Sequence, residues 1–97
     1  MVTYICLIKA TEQGIKDIKN APGRVEAARK GIEASGGKMI AFYSVLGHYD
    51  YVAVVEMPSD EAGMAFLFTL GSLGNVRTTT LKAFTEKEFV DIVQKIP

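Results

Sequence analysis

The sequence contains one cysteine and one histidine, and that scarcity removes two kinds of chemistry at once. Cys6 alone cannot close an internal disulfide, which fits a reducing compartment. With His48 far away in the chain and no second residue of either type, zinc-ligand spacing is absent, and no metal site is expected. A charge bias is also missing. Eleven Lys and Arg balance eleven Asp and Glu, leaving a net charge of 0 and no basic footprint for nucleic acid. No apolar run approaches the roughly 20 residues needed to cross a bilayer, and no basic segment followed by an apolar signal region opens the chain. The expectation is a cytoplasmic protein with no membrane and no nucleic-acid partner. Neither a G-x-x-x-x-G-K-[ST] loop nor a G-x-G-x-x-G after the first strand occurs, so no cofactor is expected.

What is present is a foldable chain. It has 97 residues, 48% of them hydrophobic and 23% charged, the balance of a globular protein. Two domains would each be too short to bury a core, so residues 1–97 read as a single domain.

Val2 to Lys9 is rich in residues suited to a strand. Thr11 to Lys19 is ambiguous between turn and helix, because Gly14 weakens the turn that Ile15 and Ile18 allow. Pro22 suits the first turn of a helix, with Asn20 as its cap, Val25, Ala28 and Ile32 on one side, and Glu26 and Lys30 as an i,i+4 pair. Gly36 and Gly37 supply the left-handed stop. Lys38 to Gly47 and Tyr51 to Met57 read as strands joined by a short turn, Gly47 to Asp50. Ser59 caps a second helix that is apolar nearly all round, closed by Gly71 and Gly74. Val76 to Phe84 resumes strand character, its three threonines matching β propensity. Thr85 and Glu88 then fit a capping box ahead of an apolar stripe at Phe89, Ile92, Val93 and Ile96. The order predicts an α+β, ferredoxin-like βαββαβ fold with an antiparallel sheet and an added C-terminal helix.

Right-handed crossovers place both main helices on one face of that sheet. The other face should then be polar at alternate positions, and it is not. The first strand offers Tyr4, Cys6 and Ile8 on one parity and Ile5 and Leu7 on the other. The second strand sets Ile40, Phe42 and Leu46 against Met39, Ala41, Tyr43 and Val45, and the third sets Val52 and Val54 against Tyr51, Ala53, Val55 and Met57. Four strands spaced about 4.8 Å apart present on the order of 400 Å² in plan. Leaving it wet would forgo on the order of 10 kcal/mol at about 25 cal/mol/Å². The C-terminal helix can cover only part of it. A second copy packed face to face is expected to cover the rest, giving a homodimer or a higher homo-oligomer extended through Phe66 and Phe68.

Candidate chemistry gathers at one turn. His48, Tyr49 and Asp50 bring an imidazole, a phenol and a carboxylate together, a set that can orient a polar molecule or move a proton near neutral pH. Turn formation by Gly47 and Asp50 is the competing structural reading, and it takes precedence. Arg77 could reach Asp50, Glu56 or an anionic ligand, and Tyr4, Tyr43 and Tyr51 could rim a cavity. The ligand-binding candidates are therefore Tyr43, His48, Tyr49, Asp50 and Arg77. Cys6 reads as a small buried hydrophobe without an activator.

Three segments carry a family likeness: TYICLIKATEQGIKDIK near the start, GHYD in the middle, and LGSLGNVRTTTLKAFTEKEF later. Together they resemble the GYD-domain family over roughly residues 3 to 92, with Gly47, Tyr49 and Asp50 at the residues that name it and His48 at the variable place. The resemblance implies a ferredoxin-like domain of the dimeric α+β barrel type, and no activity. Two main functions stay open. One is a homo-oligomeric module that binds a small molecule or serves assembly. The alternative is a cofactor-independent barrel enzyme, monooxygenase- or isomerase-like, with His48 as acid/base, Asp50 orienting it, and Tyr43 or Arg77 holding an anionic or phenolic substrate. A third, an interaction protein recruiting other chains through its second helix, is weaker.

Overall fold

The computed structural model describes residues 1–97. In chain order the elements are β1 (Val2–Ala10), α1 (Glu12–Lys16), a 3-10 turn (Ile18–Asn20), α2 (Ala21–Ala34), β2 (Lys38–Ser44), β3 (Tyr51–Met57), α3 (Asp60–Ser72), β4 (Val76–Ala83) and α4 (Glu86–Val93). The sheet is antiparallel throughout with strand order β2-β3-β1-β4. This is the ferredoxin-like α+β arrangement, and the ambiguous stretch after β1 resolves into α1 and the 3-10 turn.

Helix ends follow local chemistry with one exception, and one ion pair within α2 differs from expectation. Ser59 Oγ accepts the Ala62 N–H at 3.1 Å, and Thr85 and Glu88 form the reciprocal capping box. Gly36, at φ +87°, terminates α2 in the left-handed region. Asn20, however, does not cap α2. Its side-chain amide donates to Asp17 Oδ1 at 2.6 Å, and Arg24 reaches the other oxygen of that carboxylate at 2.8 Å. Glu26 pairs with Arg29 at i,i+3 in place of Lys30.

The strict parity expected of β2 fails for a specific reason. Met39 pairs with Val55 and Ala41 with Val54, so Ile40 is the extra residue of a bulge. Met39 and Phe42 both pack against the core, while Ile40 is exposed. β2 also stops at Ser44, which leaves a longer loop from Val45 to Asp50 than the four-residue turn expected.

Cys6, Ile8, Ile32, Ala53, Val55 and Met57 form the buried core between the sheet and its helices. Alternate residues face away, and the registers align them into rows. One row runs Tyr43, Val52, Leu7, Thr79 and the next Ala41, Val54, Ile5, Leu81. No helix of the protomer covers them. α4 makes no extended contact with any other element, and every residue from Phe84 to Pro97 is exposed. The expected partial roof from the C-terminal helix is therefore absent, and α4 is a projecting arm on a protomer measuring 53 × 31 × 18 Å. Accessible surface scaling gives about 5,500 Å² for a folded monomer of this mass. The protomer exposes 6590 Å².

Candidate functional site

The loop from Val45 to Asp50 holds the predicted cluster, and backbone demands set its geometry. Asp50 N–H donates to the Ile8 carbonyl at 2.9 Å, and its own carbonyl accepts the Val45 N–H at 2.9 Å. The Asp50 carboxylate accepts the Ala10 N–H at 2.8 Å. The side chain thus continues the β1–β3 ladder by one rung where the backbone of the loop turns away. His48 is exposed and lies edge-on to the Tyr49 ring, with centroids 5.0 Å apart. It makes no bond to Asp50, whose carboxylate points to β1.

The other candidates do not converge on this loop. Tyr43 stands 62% exposed on the open sheet face. Arg77 lies at the end of β4 opposite Lys9, and its guanidinium donates to the carbonyls of Val76 at 3.0 Å and Gly71 at 3.5 Å. It pairs with neither Asp50 nor Glu56. The three tyrosines separate as well: Tyr51 packs against Phe42 in the core layer, Tyr4 sits at the far end of the same face, and Tyr43 faces away.

A second polar cluster escaped sequence reasoning because its members are distant in the chain. The Tyr4 hydroxyl donates to the Asp60 carboxylate, whose other oxygen accepts Lys82 Nζ at 2.8 Å. Removal from water, and then the Asp60 carboxylate, push the Tyr4 phenol up to about 12. Lys82 first, then Tyr4, hold the Asp60 carboxyl below its ordinary value. Gly63 makes this possible, since a Cβ there would meet the Tyr4 ring at 2.8 Å. The available signal was Asp60 in the first turn of α3, which reads equally well as a partner of the helix dipole. The arrangement pins α3 to β1 and β4.

Cys6 is buried, and burial raises its thiol, which the Thr80 hydroxyl on the adjacent strand only partly opposes. That hydroxyl is itself buried without a well-formed hydrogen bond. No group of three metal-ligating side chains occurs, and no helix is long and apolar enough to cross a membrane.

Apolar surface is left open in two places, on the free sheet face and on the α4 arm. Ile5, Leu7, Val52, Val54, Ala41 and Leu81 are apolar residues with no cover, and Phe89, Ile92, Val93 and Ile96 of the arm are all exposed. The protomer's excess over a normal monomer surface is about 1,100 Å², more than the roughly 800 Å² each partner buries in a standard interface.

Comparison with known proteins agrees with this fold. A protein of Thermus thermophilus, named glutamine synthetase and cystathionine beta-lyase binding protein, is 32% identical over 91 residues, which cover 93% of this chain and 96% of the relative. The crystal structure of TTHA0845 from Thermus thermophilus superposes with a TM-score of 0.56 at 31% identity, covering 88% of this chain and 95% of that one. A feast or famine regulatory protein of Mycobacterium tuberculosis, solved with L-methionine, gives a TM-score of 0.66 at 24% identity and shares the fold. The chain covers 51% of that regulator's length. Residues 4–93 match the GYD domain, and the chain belongs to the GYD domain family.

Proposed function

We propose that this chain is a non-catalytic assembly module: two copies close over their open sheet faces, and the resulting homo-oligomer docks onto enzymes of amino-acid metabolism. The observation that carries the first half is the pair of uncovered apolar rows through Ile5 and Leu7. Face-to-face packing of two such sheets buries both sets of rows about one twofold axis. The exposed stripe of α4 adds further apolar surface to the protomer. The second half is supported by the relative named for binding glutamine synthetase and cystathionine beta-lyase, which is alike over nearly its whole length. The enzymatic reading has less support, because the Asp50 carboxylate that would orient His48 is engaged by Ala10 N–H.

Light scattering after size exclusion tests self-association, with a dimer or larger particle expected at micromolar protein. Truncation before Phe84 should leave the sheet folded and weaken self-association. Purified glutamine synthetase and cystathionine beta-lyase from the same cell, passed over the immobilised protein, test docking. A monomer at all concentrations overturns assembly, and failure of both enzymes to bind overturns the docking half.

A further inference from the structure

Beneath α2 and α3, on the covered side of the sheet, lies a cavity of about 80 Å³. Next to it a groove of about 330 Å³ runs between the two helices. The two share Arg24, Ala28, Phe66, Leu70, Asn75 and Val76 in their walls, so a molecule in the groove lies against the residues that bound the cavity. Ala27, Ala28, Gly31 and Ala65 line the groove. Such small side chains leave the helix pair open where larger ones would fill the gap, and a Cβ at Gly31 would come no nearer than 3.9 Å to Phe66.

The walls decide what could enter. A space of this size exceeds the roughly 10–15 Å³ that admits a water, but a held water needs two to four polar partners. Fifteen of the seventeen cavity residues are hydrophobic, Tyr51 with its hydroxyl among them, and the other two, Arg24 and Asn75, are bonded to neighbours. Arg24 is paired with Asp17, and Asn75 accepts a bond from Gln13. With the guanidinium neutralised, the site offers no free charge to an ionised ligand. The groove does offer two free acceptors. The hydroxyls of Ser35 and Thr69, exposed at its rim, donate to the carbonyls of Gly31 and Ala65, at 3.0 and 2.9 Å, and each oxygen can still accept a bond.

We infer that the α2–α3 groove and the cavity beneath it bind an uncharged, ring-sized apolar molecule carrying one hydrogen-bond donor, its ring toward Phe66 and its donor toward Ser35 or Thr69. The site lies on the opposite side of the sheet from the self-association face and does not depend on it.

Indole is a suitable probe, titrated into full-length protein labelled at methyl groups and followed by NMR. Saturable shifts are expected at Ile8, Ile32 and Met39, around the cavity. No saturable shift, or shifts centred on Ile5, Val54 and Leu81 of the open face, overturn the inference. Indole-3-acetate should bind at least about tenfold more weakly, because its carboxylate would be desolvated without a partner. Equal affinity overturns the assigned ligand class. Gly31→Leu fills the groove, and the folded variant should lose indole affinity by at least about tenfold. Ala28→Phe is the second variant should the first unfold. Unchanged affinity in a folded variant overturns the location, and the wild-type shift map decides it independently of both substitutions.

Discussion

The carboxylate of Asp50 accepts the backbone N–H of Ala10 at 2.8 Å, so the aspartate of the Gly-His-Tyr-Asp turn acts on the end of β1 and not on the neighbouring histidine. A side chain here replaces the rung that the loop backbone cannot supply. Asp50→Ala should therefore destabilise the fold by about 1–2 kcal/mol, the scale of a lost hydrogen bond to a charged group with its donor left partly buried. Asp50→Asn keeps an acceptor and should recover most of that. Urea denaturation measures both, and an Asp50→Ala protein as stable as the parent contradicts the clamp.

On the open face, Ile5 stands in the middle of the row Ala41, Val54, Ile5, Leu81. Ile5→Lys places an ammonium where the second copy is expected. The dissociation constant should rise at least about a hundredfold, the equivalent of about 3 kcal/mol, while the protomer stays folded. Light scattering across a dilution series, with circular dichroism as the folding control, checks it.

The Tyr4 to Asp60 link makes two opposite pH predictions. The Tyr4 phenol is raised from 10.0 to about 12, so its contribution is complete below pH 10 and disappears as pH climbs toward 12. The Asp60 carboxyl is lowered, so its contribution is complete above the ordinary carboxylate range and disappears as acid protonates it below that range. Tyr4→Phe should flatten the alkaline limb of a stability-against-pH curve. Lys82→Ala, which removes the largest cause of the Asp60 shift, should move the acid limb toward ordinary carboxylate values.

Cys6 should resist alkylation in the folded protein. Burial disfavours the thiolate, the reactive form, and so slows reaction while the protein stays folded. At neutral pH the rate with iodoacetamide should lie at least about a hundredfold below that in denaturant. A rate equal to that of a free thiol would place Cys6 outside the core.

Local signals were the most legible part of this sequence. The caps at Ser59 and Thr85 and the stop at Gly36 each depend on residues within one helical turn, and each forms as expected. The two-sided apolar pattern of β1 and β3 likewise mapped directly onto a covered and an open face. The parity of β2 was not legible, because a single inserted residue at Ile40 exchanges the faces and leaves no compositional trace. The choice of Arg29 over Lys30 as partner for Glu26 lies between two allowed helical spacings. At the candidate site the direction of the Asp50 side chain was not legible, since the need of Ala10 N–H for an acceptor appears only once β1 and the loop are neighbours. The Tyr4, Asp60 and Lys82 cluster depends entirely on tertiary placement.

The bulge at Ile40 also bears on what the margin of the sheet offers to another molecule. β2 and β4 are the two margins of the sheet, and each could in principle template the next molecule strand by strand. A bulged margin beginning at Lys38 presents a broken, twisted ladder to such a neighbour. Growth along the hydrogen-bonding direction is thereby discouraged at that side, which leaves the proposed face-to-face contact, one that would close on itself and keep a particle finite, as the favoured route.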